Sequence, residues 1–226
     1  MTLSRTLLEL RTAAKRRADQ ENSGLVTDAE WDRYINLSYS DLWDRLVRAR
    51  GFEYFGVRAT VNTSAGVETV ALPTTFYKLW GVSALINGEQ APLRPLTMAE
   101  RDDYDSVSGW STGWPVRYMI MSAGLLLRPV PDGVYTITFW HVPHITALVA
   151  DGDTVNGING WEELLEISAA IQARIKEETD TQALMIERQR LEARIDALAQ
   201  SRDEGEPARV QNTRYRRPGG WGAPWG

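Results

Sequence analysis

Apolar residues recur at helical spacing at both ends of this chain and at alternate positions between them. One polypeptide therefore carries two helical segments that enclose a stretch of strands. Residues 3–18 place Leu3, Leu7, Leu10 and Ala14 on one stripe, as a packed amphipathic helix requires. Asn22-Ser23-Gly24 interrupts the pattern, and Thr27-Asp28-Ala29-Glu30 restarts it as a capping box, with Thr27 as N-cap and Glu30 at the third helical position. This second helix is expected to run to about Arg50, where Gly51 ends it. Trp31, Ile35, Ser38, Leu42, Leu46 and Ala49 share one face, which Tyr34, Tyr39 and Trp43 widen. A helix apolar on more than one side is packed on more than one side, here by the first helix and by those at the C-terminus.

The C-terminal helices are read from Gly160 to Asp180 and from Thr181 to Asp203. Asn159 is the expected N-cap with Glu162 at the third position. Trp161, Leu164, Ile167, Ile171 and Ile175 make the first stripe, and Leu184, Leu191, Ile195 and Leu198 the second, beyond a break at Thr179-Asp180-Thr181. Arg188 and Glu192 stand one turn apart.

Between Phe52 and Asn159 the period is that of strands. Phe55, Val57, Ala59 and Val61 alternate, Ser64-Ala65-Gly66 turns, and Val67 to Leu72 returns, which reads as a hairpin. A second hairpin is expected at Asn87-Gly88. Residues 97–113 read as a short helical turn leading into a polar loop, followed by strands at 117–121, 125–128 and 134–142. The fold class is α+β: N- and C-terminal helices form one bundle, with a small antiparallel β-sandwich or barrel inserted. The expected divisions are a helical pair at 1–51, the β domain at 52–159, the helices completing the bundle at 160–203, and an extended arm at 204–226.

The arm is distinctive. From Pro207 onward it contains Arg209, Arg214, Arg216 and Arg217, no acidic residue, and Tyr215, Trp221 and Trp225 among glycines and prolines. Glycine and proline keep such a segment out of helices and sheet interiors, while each tryptophan offers roughly 150–250 Å² of surface to bury on a partner. Arg209, Arg214, Tyr215, Arg216, Arg217, Trp221 and Trp225 are the candidate partner-binding residues. The whole chain carries a formal charge of −5 from 25 basic and 30 acidic residues, and the part before Pro207, with 21 basic residues, carries −9. An acidic body with a basic arm suits binding to copies of itself or to an acidic partner, and argues against the body as a general nucleic-acid binder.

Catalytic and metal-binding patterns are weak. The chain has no cysteine, which excludes disulfides and thiolate chemistry. His141 and His144 surround a proline, with no third histidine to complete a metal site, and read as surface aromatics. Asp151 to Gly157 with Glu162 has part of a calcium-loop spacing, but Val155 and Asn156 occupy positions that need a ligand and a glycine. Asp102, Asp103 and Asp105 read as a solvated face rather than paired glycosidase carboxylates. No Gly-x-Ser-x-Gly elbow or phosphate-binding Gly-Lys-Ser/Thr loop occurs. The expectation is no catalysis, no metal and no cofactor. Arg11, Lys15, Arg16 and Arg17 fall at the end of the first helix, where cations favour the helix dipole; phosphate binding is the other reading. Neither a signal-peptide core nor a membrane-length apolar run is visible, so a cytoplasm-like compartment is expected, with no membrane partner.

Several stretches together resemble the head-to-tail adaptor, or connector, proteins of tailed bacteriophages. They are Thr27-Asp28-Ala29-Glu30-Trp31 leading into Ile35-Asn36 and Tyr39, Leu72 to Leu79, Leu125 to Pro131, Tyr135 to Pro143, and Ala169 to Asp180. The similarity covers roughly residues 5–205. The resemblance implies a virion neck protein without catalysis, forming a dodecameric ring beneath the portal protein. Such a ring continues the DNA channel and offers tail or nozzle proteins a docking surface, while genomic DNA passes through without specific binding. Adaptor arms commonly engage the portal. Other readings are a nucleic-acid-binding module using Arg11 to Arg17 and the arm, a lytic virion enzyme around Asp102 to Asp105, and a tail-completion or tail-tube protein.

Overall fold

The computed structural model describes residues 5–49, 55–106, 112–122, 124–155 and 161–199. The elements, in chain order, are α1 (Leu7–Ala18), α2 (Asp28–Arg48), β1 (Val57–Asn62), β2 (Thr69–Val70), β3 (Phe76–Ile86), β4 (Glu89–Pro92) and β5 (Arg94–Pro95). There follow α3 (Met98–Ser106), β6 (Thr112–Gly113), β7 (Arg117–Met121), β8 (Gly124–Arg128), β9 (Val130–Pro131), β10 (Thr136–Pro143), α4 (Glu163–Lys176) and α5 (Gln182–Ala199).

Threonine and glutamate three residues apart start the first three helices. Thr27 and Glu30 form the expected box at α2. Thr6 and Glu9 form another at α1. At α3, the Thr97 amide donates to Glu100 Oε2 at 2.8 Å and the Glu100 amide donates to Thr97 Oγ1 at 3.3 Å. Each box satisfies donors that a helix start leaves unpaired. The α4 start differs from expectation: Glu162 is the N-cap and makes no side-chain cap bond, while Asn159 lies outside the described residues. Buried Trp161 instead sets that turn, its carbonyl accepting from the Leu164 amide.

The helices share one core. Leu7, Leu10, Ala14 and Ala18 of α1 meet Trp31, Ile35, Tyr39, Leu42 and Leu46 of α2, Leu165, Ala169, Ala170 and Ala173 of α4, and Ile195 of α5. Chain ends thus meet in one bundle. α4 is buried almost all round because α1, α2 and α5 all pack on it. Ile167 and Ile171 of the expected stripe are buried, but Ile175 and Leu198 are exposed. Ile175 sits in the last turn of α4, and α5 buries only Ile195 and Ala199.

Glu30 also fastens α2 to the end of α4. Lys176 Nζ donates to Glu30 Oε1 at 2.6 Å. That bond, then those from the Thr27 backbone and hydroxyl, pull the Glu30 carboxyl from 4.5 down to about 2. Because the folded value is depressed, the stabilisation is present above pH 4.5 and disappears as the pH falls towards 2. Glu30→Gln is expected to flatten the acid limb of the unfolding curve between those values, measured by circular dichroism against pH.

The strands form two four-stranded sheets, ordered β1-β10-β3-β4 and β2-β8-β7-β5, and a short β6-β9 pair. All pairings are antiparallel except β5 with β7 and β6 with β9. Val82 and Ala84 of β3 and Ile137 and Phe139 of β10 face Val70 of β2 and Leu125 and Leu127 of β8 across a dry core, which makes the β part a sandwich. The Asn87-Gly88 turn is the expected tight hairpin, with both residues at positive φ and Ile86 opposite Glu89. The expected hairpin around Ser64-Ala65-Gly66 does not form. β1 pairs with β10, and β2 crosses to the other sheet to pair with β8. The reason is Thr63: its amide donates to the Tyr135 carbonyl, its hydroxyl donates to the Gly133 carbonyl, and the Tyr135 amide returns a bond to that hydroxyl. The turn is thereby tied to the approach to β10 rather than to its own return segment.

β8 passes close to β2 at Gly124. Its φ is +140°, and a Cβ there would stand 2.4 Å from the Val70 carbonyl oxygen. Gly124→Ala is expected to cost about 2–4 kcal/mol through strain and overpacking, seen as a lower urea midpoint. The bundle and the sandwich join through α2. Trp43 and Val47 close on Val142 at the end of β10, with Phe55 and Ile145 alongside, and the Trp43 and Phe55 rings lie 4.5 Å apart.

Candidate partner-binding surfaces

The basic end of α1 is only partly the expected solvated face: Arg16 is exposed, while Arg11, Lys15 and Arg17 are largely covered and paired within the chain. Arg11 Nε donates to Asp32 Oδ1 at 2.8 Å and its Nη2 donates to Asp151 Oδ1 at 2.6 Å. Burial opposes the Arg11 charge, but the bonds to Asp32 and Asp151 outweigh it and raise its pKa. Lys15 pairs with Asp28 at 2.5 Å and Arg16 with Glu21 at 3.0 Å. The Lys15 bond holds the Asp28 carboxyl below its usual value. Arg17 reaches Glu163 at 2.5 Å, Glu166 at 3.3 Å and Glu187 at 3.2 Å. Glu166 is almost fully buried and also receives Arg5. Arg11, Lys15 and Arg17 therefore hold α1 against neighbouring segments, while Arg16 is exposed and pairs with Glu21 in the turn that follows α1.

The Asp151–Thr154 turn serves the same helix. Asp153 Oδ2 accepts the amides of Val149 and Ala150 at 2.8 Å each, bonds that lower its pKa. The Leu7 and Leu8 amides donate to the carbonyls of Asp153 and Asp151. Asp151 on Arg11 and Asp153 on its own backbone both already have protein donors. Among the described residues no group of three or more His, Cys, Asp or Glu is placed to hold a metal ion. His141 is buried, not a surface aromatic. It stacks on Phe76 with ring centroids 6.0 Å apart, its Nε2 lies 3.3 Å from Thr75 Oγ1, and burial lowers its pKa. Strand alternation aims Trp140 outward and the next residue, His141, inward. His144 is exposed, with Nδ1 2.7 Å from the Ile145 carbonyl oxygen. Asp102 is exposed on α3, while the side chains of Asp103 and Asp105 lie outside the described ones.

Arg209, Arg214, Tyr215, Arg216, Arg217, Trp221 and Trp225 also lie outside the described residues. The structure adds an exposed apolar surface. Trp80 and Trp140 stand edge to face, centroids 6.3 Å apart, at 52% and 41% exposure, where most tryptophans are largely covered. Strand alternation was the available signal for Trp140, which shares a face with Thr136 and Thr138.

The chain matches the SU10 adaptor protein family over residues 5–216. It belongs to that family, and is a phage adaptor protein. The match runs beyond residue 205, taking in Arg209, Arg214, Tyr215 and Arg216 but not Arg217, Trp221 or Trp225. No curated protein matches the chain. Among the described residues no helix is long and apolar enough to cross a membrane.

Proposed function

We propose that this adaptor assembles as a dodecameric ring beneath the portal in the virion neck. The ring continues the DNA channel and presents the docking surface for tail or nozzle proteins. The arm, 204–226, is a separate unit that seats on the portal or a neighbouring subunit. One observation carries this reading: the family match spans the bundle, the sandwich and the arm as far as Arg216. The charge distribution supports it. The body before Pro207 is acidic, and its basic helix end is neutralised within the chain, so like charge keeps a passing duplex from sticking. A structural adaptor needs no catalytic group.

Mixing the purified chain with portal rings and imaging the product by electron microscopy tests this. The expected result is a coaxial ring under the portal with an open channel. A monomer that ignores the portal and binds duplex with a steep salt slope would make it a nucleic-acid module. Density at the far end of the tail would make it a tail-completion protein.

A further inference from the structure

α5 is joined to the bundle more lightly than α1, α2 or α4. It buries two of its 18 residues, Ile195 and Ala199, whereas α4 buries nine of 14. Leu184 and Leu191 add partly buried contacts. The rest of the attachment is ionic. Arg17 reaches Glu187 at 3.2 Å, and Arg45 on α2 reaches Glu192 at 2.9 Å and Asp196 at 3.0 Å. Between α2 and α5 lies a depression of about 510 Å³ lined largely by charged residues, among them Asp41, Arg48 and Arg188. On this side the two helices meet across a polar opening rather than a packed seam.

The junction between α4 and α5 leaves each helix complete in itself. Glu178 takes a positive φ, and the Thr179 amide donates to the Arg174 carbonyl at 3.0 Å, a bond pattern that closes a helix end. Lys176 ties that end of α4 to Glu30 of α2. α5 has its own start, where the Gln182 amide donates to Asp180 Oδ1 at 3.0 Å. Neither helix relies on the other to satisfy its end, so α5 is held against the bundle by its side chains.

We propose that α5 is a releasable strap: it leaves the bundle as one unit while α1, α2 and α4 stay packed, and the ion pairs of Arg17 and Arg45 set how often. Two buried side chains and three partly exposed ion pairs make a weak seam, since such pairs contribute little and salt screens them. Elements with few buried apolar contacts are the ones that open first. A detached helix of 18 residues is marginal in water, so α5 melts as it leaves. Its residues then lengthen the tether before Arg214–Trp225 by up to roughly 60 Å of extended chain. Release is a property of the single chain and does not depend on the ring reading.

Hydrogen exchange of the full purified chain, read by mass spectrometry, tests this without the portal, so its failure leaves the ring reading standing. The α5 amides should share one rate, at least about tenfold faster than that of the α4 amides. Raising sodium chloride from about 0.05 to about 0.5 M should speed α5 about fivefold. Arg45→Met should speed α5 by a similar factor and remove most of the salt response, because Arg45 makes two of the three pairs. Leu10→Val, on the face of α1 within the bundle core, should speed α4 about threefold. It should leave α5 unchanged, because the released state keeps that packing. Equal rates in α4 and α5, or equal acceleration of both by Leu10→Val, would make α5 an integral part of the bundle and overturn the strap. Rates graded along α5 would mean fraying from its end, and fast exchange indifferent to salt would remove the ionic control; either result overturns it too.

Discussion

Arg17→Met is expected to lower the unfolding free energy by about 3–5 kcal/mol, the cost of leaving a buried charge without its partner. Methionine keeps most of the apolar stem, so the loss reports charge rather than packing. Arg17 joins three carboxylates on two helices, at 2.5, 3.3 and 3.2 Å. One of them, Glu166, lies between α1 and α4 with its side chain 3% exposed. Without Arg17, Glu166 keeps only Arg5, whose side chain is 46% exposed. Adding Glu166→Leu to Arg17→Met should recover most of the loss, because the pair then disappears together and Arg5 turns to water. Urea unfolding of the single and double variants measures both quantities. A single-variant cost near that of an exposed ion pair, below about 1 kcal/mol, would return Arg17 to the solvated helix end that spacing alone suggests.

That contrast shows what spacing can and cannot say. Leu7, Leu10 and Ala14 were legible because a helix repeats and its buried stripe repeats with it. Thr27 and Glu30 were legible because a capping box is local. The partners of Arg11 and Arg17 were not, since Asp151 and Glu166 come from the far side of the chain and no local pattern links them. Strand pairing failed for the same reason: Val57 to Asn62 alternate whichever strand lies opposite, and Thr63 chose β10 through bonds to residues 133 and 135. The exposed tryptophans divide similarly. Trp140 follows the alternation of β10, whereas Trp80 adjoins a register shift between β3 and β10, which strand periodicity does not encode. The arm's composition was plain in the sequence, but composition does not say what it touches.

Deleting Arg214–Gly226 is expected to abolish incorporation under the portal while shifting the thermal midpoint of the body by no more than about 2–3 °C. Fold stability should survive because, among the described residues, the bundle and sandwich cores already bury a full set of apolar side chains between Leu7 and Ala199. Incorporation should not, for a reason of number. Two tryptophans give at most about 5 kcal/mol of gross apolar burial each. Ordering the residues that dock opposes that gain. One arm is therefore weak alone, and in the proposed ring many arms acting together would supply firm attachment. Removing the arm from every subunit multiplies the weakening, so the loss should be complete. Trp221→Ala with Trp225→Ala should reproduce it at any salt. Arg214, Arg216 and Arg217 changed to glutamine should weaken incorporation most at low salt, where the charges they remove are least screened. Sedimentation with portal rings reads all three; a truncated chain that fails to fold would place the arm in the core instead.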